Sequence, residues 1–415
     1  MPHANSASAL LADVAVIGAG PAGSAAAIHA ARAGFDTVLV DAASFPRDKT
    51  CGDGLTPRAM AQLDRLGITV NARYRNRGLK LHGFGGSVTA PWPQSYPCTV
   101  GTALPRVQFD ALLVDTATSA GASFLQGHAT APRIEQGRLR SFHVGEQEVR
   151  AKWVIVADGV RSTFGKQLGR QWHKGEVYGI AARAYATSPR AAEPWMHSHV
   201  ELKDDAGVLQ PGYGWIFPLG EQLGQVNIGL GALSTQARPA KINTKKLLET
   251  YATQQRAEWG LGAVVKVASA ALPMGGAVSR VAGKNWVLIG DAAACVNPLN
   301  GEGIDYGLET AALAVELIGS APGELDTAWP HTLREHYGRA FLLARTAARL
   351  LTYPKFLPVA GPVALRGPAG KLLMPAAARL MGNLVTEEDQ DLLARAWRLA
   401  GAGVHAARRN TPLWS

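Results

Sequence analysis

Residues 13–41 carry the pattern that leaves this chain the fewest folds. DVAVIG (13–18) is an apolar run of strand length. GAGPAG follows, with Gly18, Gly20 and Gly23 in G-x-G-x-x-G register. A small-residue helix, SAAAIHAARAG, and a second strand, TVLVD, come next, and the second strand ends at Asp41. Each part has a physical role. Gly18 permits the tight turn, Gly20 lets backbone approach a pyrophosphate, and Gly23 with the alanines packs the helix onto the sheet. Ala19, Pro21 and Ala22 complete the loop, whose helix N-terminus offers free N–H groups to phosphate. Asp41 stands 23 residues after Gly18, where an acid accepts a ribose hydroxyl. The pattern predicts an α/β fold with a Rossmann-like dinucleotide site.

Distant segments choose between NAD and FAD. WVIVADGVRS (153–162) reads as a strand ending in Asp158-Gly159. WVLIGDAAA (286–294) reads as another, ending in Gly290-Asp291. The second runs into CVNPLNGEGIDYGLETAALAVELIG, a Gly-rich turn followed by a long apolar helix. An acid at a strand end can bind the sugar alcohol of a flavin, and the following helix N-terminus can face its ring. These features select FAD. The competing reading of Asp291 is a simple helix cap.

The substrate side follows. Residues 176–232 read as antiparallel strands with turn-rich breaks, and QVNIGLG alternates in period two. Tyr213, Trp215 and Phe217 alternate in GYGWIFPLG and so share one face, which lines an apolar pocket or forms ordinary sheet core. In DKTCGDG (48–54), Cys51 has no metal partners or resolving cysteine near it, and Asp53 is a poor activating base. The expectation is a flavin-proximal Cys51, with Gly52 and Gly54 letting backbone come close to the ring. The alternative is a small buried hydrophobe. Cys98 and Cys295 read as structural, and the three cysteines match no zinc or disulfide framework.

Three stretches, FPRDKTCGDGLTPRA (45–59), YGWIFPLG (213–220) and GDAAACVNPLNGEGIDYGLE (290–309), together with the glycine loop, resemble the geranylgeranyl reductase family. This is a branch of the FAD-dependent oxidoreductases of the para-hydroxybenzoate hydroxylase superfamily, and within it the chain resembles the actinobacterial menaquinone reductases. The resemblance implies FAD contacts at Gly18 to Gly23, Asp41, Lys49, Cys51, Gly52, Arg106, Ala129, Asp291, Gly303 and Ile304. It implies lipid contact at Tyr213, Trp215 and Phe217. The implied reaction reduces an isolated C=C of a polyprenyl chain, such as one isoprene unit of the menaquinone tail, using FAD reduced by NAD(P)H or another electron donor. Cys51 and Tyr213 are the candidate proton donors, and the sequence does not choose between them. Rival readings are a geranylgeranyl-lipid or geranylgeranyl diphosphate reductase, an FAD-dependent aromatic hydroxylase, and a non-redox prenyl-binding chaperone.

The expected organisation is an FAD-binding domain from 1–75, 101–175 and 273–320. An antiparallel or mixed substrate sheet is inserted from 76–100 and 176–272, and a helical C-terminal region covers 321–415. At 415 residues and 47% hydrophobic the chain affords a large core. A net charge of +10 invites anionic partners, but no nucleic-acid motif accompanies it, so nucleic acid is not expected. Residues 336–386 hold seven Lys/Arg, including Arg345, Arg349, Lys355, Arg366 and Lys371, and no Asp or Glu. Between them lie apolar runs broken by prolines. That composition suits an anionic membrane surface as well as a packed helical region with solvated charges. The N-terminus reads as a strand and not a signal peptide, and no apolar run reaches the roughly 18 residues of a transmembrane helix. The expectation is a cytoplasmic protein peripherally associated with the inner face of the cell membrane.

Overall fold

The computed structural model describes residues 8–70, 74–94, 97–320, 323–366, 370, 379–384, 392–407 and 412–414. Two large sheets organise them. The first has eight strands. Leu10–Ile17 lies at its centre, parallel to Gln147–Val156 on one side and Thr37–Asp41 on the other. Trp286–Leu288 and Ser123–Gln126 extend it, also parallel. Val14, Ala15 and Val16 are fully buried, as expected of a parallel strand covered on both faces. Helix Pro21–Arg32 starts with proline in its first turn and buries glycine, serine and alanine. It packs against helix Ile304–Gly319. A Cβ on Gly18 would meet the Ala157 carbonyl oxygen at 2.4 Å, and Gly18 adopts φ +102°, so the turn requires glycine for two separate reasons.

The second sheet has seven strands. In spatial order they are Val265–Pro273, Tyr178–Thr187, Gln225–Ser234, Gly212–Pro218, Met196–His199, Gly78–Gly83 and Gly86–Pro91. All pairings are antiparallel except Met196–His199 with Gly78–Gly83. Period two divides its faces. Ile216, Val226, Ile228 and Leu230 pack with Leu247, Leu248, Tyr251 and Trp259 of helix Thr244–Trp259. Tyr213, Trp215 and Phe217 turn to the other face, where Gly229 makes room: a Cβ there would lie 2.1 Å from the Trp215 ring.

The described C-terminal residues are helical over Leu325–Leu351, Phe356–Leu365 and Leu392–Ala407. Trp329 and Trp414 tie this part to the first sheet by donating to the carbonyls of Leu288 and Ala293, at 2.8 and 2.7 Å. Among the described residues no helix is long and apolar enough to cross a membrane. One surface expectation is corrected. Arg345 is 1% exposed and donates to the Pro412 carbonyl at 2.7 Å, so it belongs to the packed interior and not to a lipid-facing surface. Arg349, Lys355 and Arg366 are exposed, and Lys371 lies outside the described residues.

Candidate active site

The ends of the parallel strands and the loops after them form a groove of about 360 Å³. Gly18, Gly20, Pro21, Ala22, Asp41 and Ala129 line it. Arg47, Lys49, Arg106 and Arg161 supply positive charge, and Asp291, Gly303 and Ile304 close its far end. Ala19 and Gly23 hold the loop from behind: Ala19 N–H donates to Asp41 Oδ2 at 2.7 Å, and a Cβ on Gly23 would strike the Gly18 carbonyl oxygen at 1.7 Å. Gly20 differs from both. A Cβ there meets only the guanidinium nitrogens of Arg106 and Arg47, each at 3.8 Å. Protein packing therefore leaves the space over Gly20 clear, between two cations, as a diphosphate would need.

Arg106, expected as a cofactor contact, lines the groove but also has a partner within the protein. It is 7% exposed and clamps Asp110, one helical turn on, through two hydrogen bonds of 2.5 and 2.8 Å. Arg47 pairs with the same carboxylate at 3.0 Å. Asp110 thus fixes both guanidinium groups beside the loop while offsetting part of their charge. Arg47 was missed in the sequence, although it lies only two residues before Lys49. Burial lowers the Lys49 pKa, and the neighbouring Arg106, Arg47 and Arg161 push the same way against Asp291. Burial raises the Asp291 carboxyl against the pull of Lys49, Arg106 and Arg170.

A second cavity, about 170 Å³, opens beside this groove. Lys49, Arg106, Asp291, Gly303 and Ile304 line both, so the two spaces meet there. Tyr213, Trp215 and Phe217 form one wall, with successive ring centroids 6.0 Å apart. Leu79, Trp92, Met196, Leu272 and Met274 make most of the remainder apolar. Cys51 and Gly52 lie on the facing loop. Gly52 and Gly54 serve the protein's own packing: a Cβ on Gly52 would sit 3.1 Å from the Phe217 ring, and one on Gly54 would sit 2.4 Å from the Met196 methyl. The loop is cut close so that the aromatic strand can press against it.

Asp53 explains the rest of that loop. It is fully buried, with φ +62°, a left-handed conformation that aspartate tolerates better than most residues. Its carboxylate accepts from Tyr185 OH at 2.6 Å, Asn227 Nδ2 at 2.9 Å and the Arg106 N–H at 3.2 Å. Asn227 also donates to the Cys51 carbonyl at 2.8 Å and accepts from the Trp215 indole at 2.9 Å. Sequence reasoning missed Asn227. The available signal was a polar residue on the face of QVNIGLG that also carries two glycines.

The two candidate proton donors are both reluctant. Burial pushes the Cys51 thiol up to about 11. Burial also raises the Tyr213 phenol, whose hydroxyl donates to the Asn300 carbonyl at 2.7 Å.

A family model described as FAD binding domain matches residues 11–328. The menaquinone reductase of Mycolicibacterium smegmatis is 53% identical over 413 residues, covering 97% of this chain and 98% of that protein. The chain belongs to the geranylgeranyl reductase family of FAD-dependent oxidoreductases. Digeranylgeranylglycerophospholipid reductase 1 of Methanopyrus kandleri is 31% identical over 352 residues, covering 82% of this chain and 90% of that one. The fold is also that of a geranylgeranyl bacteriochlorophyll reductase-like protein from Thermoplasma acidophilum, with a TM-score of 0.76 at 20% identity. That match covers 95% of this chain and all of the other. As a geranylgeranyl reductase family member, the chain is an FAD-binding oxidoreductase. The groove fits that cofactor, with an open Gly20 between two guanidinium groups and an acid at each end.

Proposed function

We propose that this protein reduces an isolated C=C in a polyprenyl chain, and that its substrate is menaquinone, of which one isoprene unit becomes saturated. The observation that carries the reading is the apolar, aromatic-walled cavity that joins the nucleotide groove at Asp291 and Gly303. It agrees with the names of the relatives matched over nearly the whole chain. A phenol-binding hydroxylase site would need polar partners for a ring hydroxyl, whereas this wall suits a hydrocarbon tail.

The Gly18–Gly23 loop, Asp41, Arg47 and Arg106 would hold the adenosine and diphosphate. Lys49, Asp291, Gly303 and Ile304 would hold the flavin end, beside Cys51 and Gly52. FAD supplies two electrons to the substrate when it is bound and reduced, by NAD(P)H or a donor of that class. The chain's own residues position the tail and exclude water. Tyr213, Trp215 and Phe217 give the alkene an aromatic wall, and Leu79, Leu272 and Met274 keep the space dry. In this reading residues 1–75, 101–175 and 273–320 form the cofactor part, and 76–100 and 176–272 the substrate part.

The protein acts at the inner face of the cell membrane, as its lipid substrate requires. Leu350, Tyr353, Val359 and Val363 are 44%, 45%, 73% and 59% exposed. Val359 and Val363 stand one turn apart on a single helix face, and the exposed Arg349, Lys355 and Arg366 flank them in sequence. Exposed apolar side chains in a segment that also exposes cations suit an anionic lipid surface.

The test is product analysis. Reduced holoenzyme is mixed with menaquinone anaerobically, the mixture is exposed to oxygen, and the quinone is weighed by mass spectrometry. Quinol formed at the ring reverts in air, but a saturated isoprene does not. A persistent gain of two hydrogens is expected. Only air-reversible quinol here, or an oxygen atom added to a tail-less phenol in a parallel aerobic reaction, would overturn the reading, and a preparation without flavin would favour a prenyl-binding chaperone.

A further inference from the structure

The reaction needs a proton at one alkene carbon, and the cavity contains an acid not yet given a role. Glu302 sits in the turn Asn300-Gly301-Glu302-Gly303, directly before helix Ile304–Gly319, and lines the cavity together with Cys51, Tyr213, Trp215 and Phe217. Glycines flank it on both sides, and Gly301 adopts φ +75°. The turn is held rigidly. Asn297 N–H donates to the Glu302 carbonyl at 2.8 Å, and Glu302 N–H donates to Asn300 Oδ1 at 2.9 Å. Across the cavity, Tyr213 ties the aromatic strand to the same turn through its bond to the Asn300 carbonyl. The acid and the aromatic wall are thereby set at a fixed separation.

We propose that Glu302 is the general acid of the reaction, delivering its carboxyl proton to the alkene; this rests on the polyprenyl-reductase reading. The balance is simple. The Glu302 O–H bond breaks and a C–H bond forms at the less substituted alkene carbon. The π electrons make that bond, so positive charge develops at the more substituted carbon. That carbon takes the second hydrogen with two electrons, which reduced FAD would supply, and Glu302 is left as a carboxylate that regains a proton from water. Tyr213, Trp215 and Phe217 line the same cavity, and an aromatic ring can stabilise the developing positive charge.

The surroundings of Glu302 keep the proton in place until it is needed. The groups acting on it are Asp305 and Asp291, both acids, and the backbone N–H groups of Ile304 and Gly303. The Ile304 N–H donates to Oε1 at 3.1 Å. Cys51 and Tyr213 face it from the other walls, both neutral at pH 7. Arg58 is paired with Glu309, and Lys49 and Arg106 act on Asp291. Burial and these like charges push the Glu302 carboxyl up to about 8, so it carries its proton at neutral pH. A donor is most effective when its pKa lies near the working pH, which favours this carboxyl over the Cys51 thiol at about 11. The Tyr213 phenol has its proton committed to a backbone carbonyl.

The experiment uses FAD-loaded wild type, Glu302→Gln and Glu302→Asp. Loss of the acid should cut the persistent alkene reduction of Glu302→Gln by about 100-fold or more, the usual share of general-acid catalysis. Glu302→Asp should retain part of it. The wild-type rate should hold below about pH 8 and fall above it, as the donor form is lost. A readout independent of turnover is the infrared difference spectrum of wild type minus Glu302→Gln. It should show the carbonyl band of a protonated carboxyl at neutral pH, fading through about pH 8. An ionised carboxylate at neutral pH, or a Glu302→Gln enzyme as fast as wild type with the same pH profile, would overturn the proposal. If wild type itself yields no persistent product, the polyprenyl-reductase reading fails; if wild type yields it and Glu302→Gln yields it equally, only the acid assignment fails.

Discussion

Replacing Asn227 tests the joint between the two halves of the site. Its side chain makes three bonds at 2.8–2.9 Å, to the Cys51 carbonyl, the Asp53 carboxylate and the Trp215 indole. Asn227→Ala strands the indole N–H in the interior and removes one donor from each of two acceptors. An orphaned buried polar group costs about 1–3 kcal/mol, and water entering from the adjoining cavity offsets part of this, so a loss of about 2–4 kcal/mol is expected. Asn227→Asp keeps the shape and the acceptor for Trp215 but sets a second carboxylate 2.9 Å from that of Asp53. At that distance and an effective dielectric of about 20, two unit charges repel by about 6 kcal/mol. Protonating an ordinary aspartate at neutral pH costs only about 4 kcal/mol, so the pair takes up a proton. Its folded pKa is then raised above the unfolded value. The sign follows: stability is present at low pH and is lost as pH rises towards the folded pKa. Urea unfolding of the FAD-loaded proteins at several pH values measures both effects. Asn227→Asp should fall progressively further below wild type from about pH 5 to 8, whereas Asn227→Ala should show a constant deficit. A deficit in Asn227→Ala under about 0.5 kcal/mol, or an Asn227→Asp deficit independent of pH, would falsify the claim that this amide bonds all three partners.

Other outcomes can be read more quickly. Gly20→Val should leave the apo fold intact, since a Cβ there meets only the ends of the Arg106 and Arg47 side chains at 3.8 Å, but should strip FAD from the purified protein; unchanged flavin content would remove the phosphate loop from Gly20. Arg349→Gln, Lys355→Gln and Arg366→Gln together should weaken pelleting with anionic vesicles by about 1 kcal/mol per residue that meets lipid, and equal binding to neutral vesicles would end the electrostatic argument. His197 and His199, stacked with His82, are pushed down to about 2 and about 3, by burial first and then by the His82 ring, with His199, Lys80 and Arg190 adding to the shift of His197. With folded values depressed, their contribution is present above the unfolded value near 6.5 and is lost as pH falls towards 3, at about 1.4 kcal/mol per pH unit for each ring that stays neutral. Urea midpoints of wild type against His197→Gln would show a shallower acid slope in the variant; equal slopes would place the acid sensitivity elsewhere.

Legibility in the sequence followed the range of each interaction. The glycine loop and Asp41 were readable because strand, turn, helix and acid act within 30 residues, and the Ala19–Asp41 bond closes within that span. The aromatic wall was readable because period two is a local rule. The Arg106–Asp110 clamp was equally local, an i,i+4 pair within one helix, and reading Arg106 for its cofactor contact alone passed over it. Asn227 reaches Cys51 and Asp53 across 176 and 174 residues, and no pattern within its own strand announces such a partner. Arg345 failed for the same reason in the opposite direction. A segment without acids reads as a solvated basic face, but its acceptor is a carbonyl 67 residues further on.

The cavity's polar groups show why a hydrocarbon site can be assembled from so polar a set of loops. Tyr213, Trp215 and Asp53 all line it, yet each has its polar atoms turned to a fixed partner: the Asn300 carbonyl, the Asn227 amide, and the Tyr185 and Asn227 donors. The Tyr213 and Asp53 bonds also cross from the second sheet to loops of the first, while the Trp215–Asn227 bond stays within the second sheet; the ties that align the substrate wall with the flavin loop thus also withdraw polarity from the tail's path. A buried group that is already paired asks nothing of an apolar guest, whereas an unpaired one would have to be desolvated again at every turnover. Glu302 is the contrast. Its neighbours are acids, its backbone donors only partly compensate, and neutralisation by a proton is the way such a group tolerates burial. An apolar tail entering the cavity dries it further and strengthens that preference, so the substrate itself favours the protonated form that the reaction consumes.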